Sequence, residues 1–129
     1  MQERHKNRLL YFHEQATTTE QYVIPFIEEV KPLHEGMTIL EIGCGEGGNL
    51  KPFLDRGHWC TGIDLNAAQI ENARKFFSEH PQKEKLTLIL KDIYDIEQPE
   101  QYDIVILRDV IEHIHNQERF MKFLKRFIK

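Results

Sequence analysis

Met37-Thr38-Ile39-Leu40-Glu41-Ile42-Gly43-Cys44-Gly45-Glu46-Gly47-Gly48 decides the fold. Its first half is a short apolar run that stops at a glycine cluster, the pattern of a strand buried on both faces. Its second half holds four glycines in six residues. Glycine lets the backbone turn sharply and approach a ligand with no Cβ in the way. Asn49 to Arg56 then reads as a helix closed by Gly57, and a helix N-terminus offers free N–H groups and partial positive charge to a ligand.

Strand and helix alternate onward from this unit. His58 to Ile63 reads as the second strand. A helix capped by Asn66 carries Ile70, Ala73 and Phe77 on one face and stops at His80-Pro81. Leu86 to Leu90 is the third strand and Tyr102 to Leu107 the fourth, after an acidic loop. The last helix opens at Asn116 and lines up Phe120, Phe123, Leu124, Phe127 and Ile128. Strands joined by helix-length crossovers imply α/β architecture: a doubly wound, Rossmann-like parallel sheet. Right-handed crossovers with one reversal give the order 3-2-1-4. Ligands in such sheets bind at the carboxyl ends of the strands near the reversal.

Upstream, residues 1–36 read as a helical extension to the domain of residues 37–129. Leu9, Leu10 and Phe12 lie in a charged stretch. Thr17-Thr18-Thr19-Glu20 offers a capping box, and Val23, Phe26, Ile27 and Val30 follow at helical spacing until Lys31-Pro32 ends the run.

Composition bounds the chemistry. The 129 residues fit one domain, 40% of them are apolar and 29% charged, and the net charge is -4. That sign argues against a nucleic-acid partner. No apolar run reaches the ~20 residues of a membrane span, and Met1-Gln2-Glu3-Arg4 leads into no secretory leader. Cys44 and Cys60 are too few for a disulfide scaffold, so reduced thiols and a cytoplasmic location are expected. His113 and His115 have no third ligand beside them, so no metal is expected. The basic stretch from Arg119 to Lys129 reads as the solvated face of a helix that packs phenylalanines inward.

Asp64 stands at the end of the second strand, ~20 residues beyond the first glycine, where a carboxylate accepts from ribose hydroxyls. Gly43, Gly45 and Gly48 also fit the dinucleotide pattern G-x-G-x-x-G, so an NAD-binding oxidoreductase domain stays open on the glycines alone.

Other residues separate the two readings. Glu41, Gly43, Gly45 and Gly47 form E-x-G-x-G-x-G. Asp92-Ile93 follows the third strand, and Arg108-Asp109-Val110-Ile111-Glu112-His113-Ile114 follows the fourth. Together these resemble the class I S-adenosylmethionine-dependent methyltransferases, from about Met37 to His115. Asp103 through Ile114 is similar to the small-molecule branch that includes the quinone-biosynthesis methyltransferases. The resemblance implies methyl transfer from S-adenosylmethionine to a small-molecule acceptor, with S-adenosylhomocysteine as product.

By position, the resemblance implies that Glu41 and the segment Gly43 to Gly47 (Gly43, Cys44, Gly45, Glu46 and Gly47) line the methionine part of the cofactor. Glu41 would meet its amino group or brace the loop. Asp64 would hold the ribose, Leu65 would pack on the adenine, Asp92 would accept from the adenine amino group, and Ile93 would cover the ring. Arg108 would lie beside the methionine moiety. His113 is the candidate general base for a hydroxyl acceptor, against a reading in which it only shapes the loop. A catalytically silent cofactor-binding module is the third alternative. No Asn-Pro-Pro-Tyr-like segment follows the fourth strand, which by the resemblance disfavours base or glutamine amino groups as acceptors. The fourth strand, Ile104-Val105-Ile106-Leu107, is apolar and has no proline or lysine to protect it as a sheet edge. The expected sheet is therefore incomplete, continued by more of the same polypeptide or by a homo-oligomer through that edge.

Overall fold

A computed structural model describes residues 7–96, 100–107 and 116–129. Four parallel strands, β1 (Thr38–Ile42), β2 (Trp59–Asp64), β3 (Leu86–Leu90) and β4 (Ile104–Leu107), form one sheet in the order β3-β2-β1-β4. The register pairs Ile39 with Cys60 and with Ile104, so β1 lies between β2 and β4, while β3 pairs with β2. This is the expected doubly wound topology, and it puts the turn after β1 at the reversal of strand order.

Side chains alternate along β1 into two cores. Ile39 joins Phe12, Ile24, Leu50, Phe53, Ile70 and Phe77 on one face, under α1 (Arg8–Thr18), α2 (Ile24–Val30), α3 (Lys51–Asp55) and α4 (Ala67–Phe76). Leu40 and Ile42 join Ile63, Ile93, Phe120, Leu124 and Phe127 on the other, under α5 (Gln117–Leu124). Asn66 and Asn116 cap α4 and α5 as expected, each side chain accepting from the N–H three residues on.

Three expectations are corrected. The Thr17–Glu20 capping box does not start a helix. The backbone runs helical through it, from α1 into a π-turn over Thr19–Val23 and on into α2. Thr19 is fully buried, and its hydroxyl donates to Asn49 rather than to its own helix end. The π-turn widens the spacing by one residue, with Ile24 N–H donating to Thr19 O. That slip turns Ile24 inward and leaves Phe26 and Val30 exposed, where unbroken helical spacing expects them inside. The third correction is at the end of the chain. Ile128 does not pack under α5 but is about half exposed beside Tyr102, with Tyr102 N–H donating to Phe127 O at 2.7 Å and Lys129 N–H to Tyr102 O at 3.1 Å. Tyr102 thus lies just outside β4, bridged to that terminal segment.

Asp103 ties the lower ends of β1 and β4. Its carboxylate accepts from Thr38 N–H at 2.8 Å and from the Thr38 hydroxyl at 3.0 Å, and those bonds hold it below the usual carboxylate range.

Candidate functional site

The strand β1 ends in a turn fastened to β2. The N–H groups of Gly43 and Cys44 both donate to Ile63 O, at 2.8 and 3.1 Å. Gly43 and Gly45 hold φ of 77° and 56°, a region that side-chain-bearing residues avoid. The Gly45 N–H then donates to Asp64 Oδ2 at 2.7 Å, and Asn66 N–H donates to Asp64 Oδ1 at 2.9 Å. A carboxylate offers about four acceptor positions. Two backbone amides therefore orient Asp64 and leave further acceptor capacity at the cavity it lines.

That cavity, about 280 Å³, brings together Glu41, Gly43, Cys44, Gly45 and Asp64 of the expected set. Burial, then the neighbouring carboxylates Glu41 and Asp64, push the Cys44 thiol far up, so it is no nucleophile. Glu46 of the same loop, residues 43–47, joins them, and the rest of the wall carries no motif in the sequence. Arg8, Tyr11 and Gln15 of α1 close one side, with Asn49 and Gln69. Arg8 pairs bidentately with the buried Glu46, Nε donating at 3.0 Å and Nη2 reaching the second oxygen. Asn72 Nδ2 adds a 3.4 Å contact to the same carboxylate. Glu41 is buried, and Asn49 Nδ2 donates to its Oε2 at 2.8 Å. The only hint of this wall in the sequence was a helical pattern before the first strand, which says nothing about pairing across 38 residues.

The other expected residues separate into distinct local roles. Gly47 is not in the cavity wall. A Cβ there would come within 2.9 Å of the Phe77 ring, so the missing side chain serves packing of the loop on α4. Leu65 is 69% exposed beside Asp64, too open to be core. Lys91 N–H donates to Asp64 O at 3.0 Å, which sets the loops after β2 and β3 side by side. Asp92 there caps the short turn Ile93–Asp95, accepting from Tyr94 N–H at 2.9 Å. Ile93 is buried in the core under α5. Arg108 and His113 lie outside the described residues. Among those described, no group of three or more His, Cys, Asp or Glu side chains is placed to hold a metal ion, and no helix is long and apolar enough to cross a membrane.

Comparison with known proteins agrees with this geometry. Residues 12–129 match the family model described as "Methyltransferase domain". The ubiquinone biosynthesis O-methyltransferase of Rickettsia akari is 33% identical over 93 residues, covering 72% of this chain and 36% of that protein. The mitochondrial ubiquinone biosynthesis O-methyltransferase of Candida albicans is 37% identical over 95 residues, covering 70% of this chain and 29% of its own length. The chain thus spans well under half of the curated relatives it matches. Among solved structures, PKMT2 from Rickettsia typhi in complex with AdoHcy superposes with a TM-score of 0.68 at 26% identity, over 76% of this chain and 20% of that one. With the family model matched over residues 12–129 and the parallel sheet in the order β3-β2-β1-β4, the chain belongs to the methyltransferase domain family, in its class I, S-adenosylmethionine-dependent form.

Proposed function

We propose that this chain supplies the S-adenosylmethionine site of a methyltransferase that acts on a small-molecule acceptor, as its quinone-biosynthesis relatives do by name. The charge of the cavity carries the reading. Three carboxylates, Glu41, Glu46 and Asp64, line it together with one guanidinium, Arg8. S-adenosylmethionine brings a sulfonium, an ammonium and one carboxylate, a net cation for an acidic pocket. The pyrophosphate of NAD would bring negative charge against the same carboxylates, an unfavourable juxtaposition in a partly buried site.

When bound, the cofactor supplies an electrophilic methyl group on sulfur. The residues of this chain bind and orient it. Asp64 accepts from the ribose hydroxyls with the acceptor capacity left by Gly45 and Asn66. The exposed Leu65 offers its side chain to the adenine, with Asp92 at the neighbouring loop to meet the exocyclic amino group. Ile93 backs that loop from the core. Glu41 receives the ammonium, and Arg8 faces the carboxylate. Arg108 beside the methionine part, and His113 as a general base for a hydroxyl acceptor, complete the proposal; turnover of His113→Ala at unchanged cofactor affinity tests the base. A cytoplasmic location and self-association through the β4 edge belong to the same proposal.

Titration calorimetry tests the cofactor directly. S-adenosylhomocysteine binds and NAD does not, and Asp64→Ala weakens binding by about 1–3 kcal/mol as polar partners go unmatched. Comparable affinity for NAD, or an Asp64→Ala variant that binds as tightly as the parent, refutes the assignment.

A further inference from the structure

We infer that Thr19 is a positioning residue for Glu41, acting through Asn49. The inference rests on the reading of Glu41 as the group that receives the cofactor ammonium. Three polar side chains, all 2% exposed or less, form a line from the N-terminal helix to the cavity wall. The Thr19 hydroxyl donates to Asn49 Oδ1 at 2.9 Å, and Asn49 Nδ2 donates to Glu41 Oε2 at 2.8 Å.

The direction of this line is fixed by its inner end. A carboxylate only accepts, so Asn49 must turn its NH₂ toward Glu41 and its oxygen toward Thr19. Flipping the amide would set two acceptor oxygens face to face at the Glu41 end. The Thr19 hydroxyl is thereby committed as donor, and its 2.9 Å bond holds the Asn49 side chain in place against Glu41. Thr19 is also the first residue of the π-turn, a feature that recurs where a helix serves a site. Thr19 lies on the same inward face of the helix as the buried Phe12. An apolar residue would fill that place as well for packing alone, so the hydroxyl is explained by what it does for Asn49.

The test compares Thr19→Ala with Thr19→Ser, two variants that both lack the methyl group and differ only in the hydroxyl. Each is titrated with S-adenosylhomocysteine and with 5′-methylthioadenosine, which keeps the nucleoside and sulfur but lacks the amino-acid part. The expected result is a loss on the order of tenfold for S-adenosylhomocysteine in Thr19→Ala, restored in Thr19→Ser. Binding of 5′-methylthioadenosine stays the same in both. A purely structural role lowers both ligands together, and that outcome overturns the inference. So does an unchanged affinity in Thr19→Ala, or a failure of Thr19→Ser to restore it. A parent protein that binds no S-adenosylhomocysteine overturns the cofactor reading itself, and the inference with it. If Thr19→Ala does not fold, Thr19→Val keeps the side-chain volume without the donor and is read by the same pair of ligands.

Discussion

Replacing Gly48 by alanine tests how closely the N-terminal helix is fitted to the glycine loop. Gly48 does not hold a positive φ, so backbone strain does not require glycine there. Space does. A Cβ would lie 2.6 Å from the Phe12 carbonyl oxygen and 2.7 Å from Gln15 Cβ and Oε1, separations that real Cβ atoms essentially never show. Gln15 can swing away, but the carbonyl belongs to the backbone of α1. Nor can α1 step back freely. The Phe12 ring is fully buried and packs against Phe76 and Phe77 at centroid distances of 5.2 Å each. Overpacking of this kind costs about 1–3 kcal/mol. The alanine recovers about 0.4–1 kcal/mol by restricting the unfolded chain. The clash wins, and the net expectation is a loss of roughly 1–2 kcal/mol in a urea titration. Because Arg8, Tyr11 and Gln15 ride on the same helix, affinity for S-adenosylhomocysteine falls as well. Gly36→Ala is the control. Its Cβ meets nothing within 4 Å, so only the φ of 78° is strained and ligand affinity is unchanged. A Gly48→Ala protein as stable as the parent, with intact ligand affinity, would refute the idea that α1 is seated on the loop.

Two further expectations concern buried charge and protons. Arg8→Ala leaves Glu46, only 2% exposed, with the weaker Asn72 contact, and costs about 3 kcal/mol of stability; adding Glu46→Gln recovers much of that loss if the pair, rather than helix packing, is responsible, as urea titration of both variants reads. His58 is buried and accepts from Met37 N–H through Nδ1 at 3.2 Å. Burial first, then the Arg56 charge, with smaller contributions from His34 and Lys85 and against a pull from Asp103, lowers its pKa below the ordinary 6.5. The unfolded chain then binds the proton more readily, so the His58 contribution is whole above about pH 6.5 and is lost as pH falls toward the folded value. Urea midpoints measured from pH 7.5 to 5 should decline in the parent and flatten in His58→Phe; equal slopes in the two proteins would show that His58 does not titrate on unfolding.

The parallel sheet and the front of the site were legible because both are local. A buried strand, four glycines and a strand-end aspartate lie within one βαβ unit, where chain connectivity forces them to meet. The N-terminal helix was only half legible, and its two errors share one cause. At about 100° per residue, Thr19 follows Phe12 by seven positions and returns to the same face, so a regular helix keeps Val23, Phe26 and Val30 close to that face. The π-turn inserts one residue after Thr19, and the inward line passes instead through Ile24 and Ile27. Nothing in the spacing announces that slip, because the apolar residues on either side of it satisfy a helical period equally well. What selects it is a contact across the fold, the Thr19 hydroxyl on Asn49, together with the fit of α1 over Gly48. The back wall of the site was hidden for the same reason. Arg8, Tyr11 and Gln15 become cavity residues only after tertiary packing lays α1 against the loop, and that packing is written in a glycine whose evident signal pointed to the ligand instead.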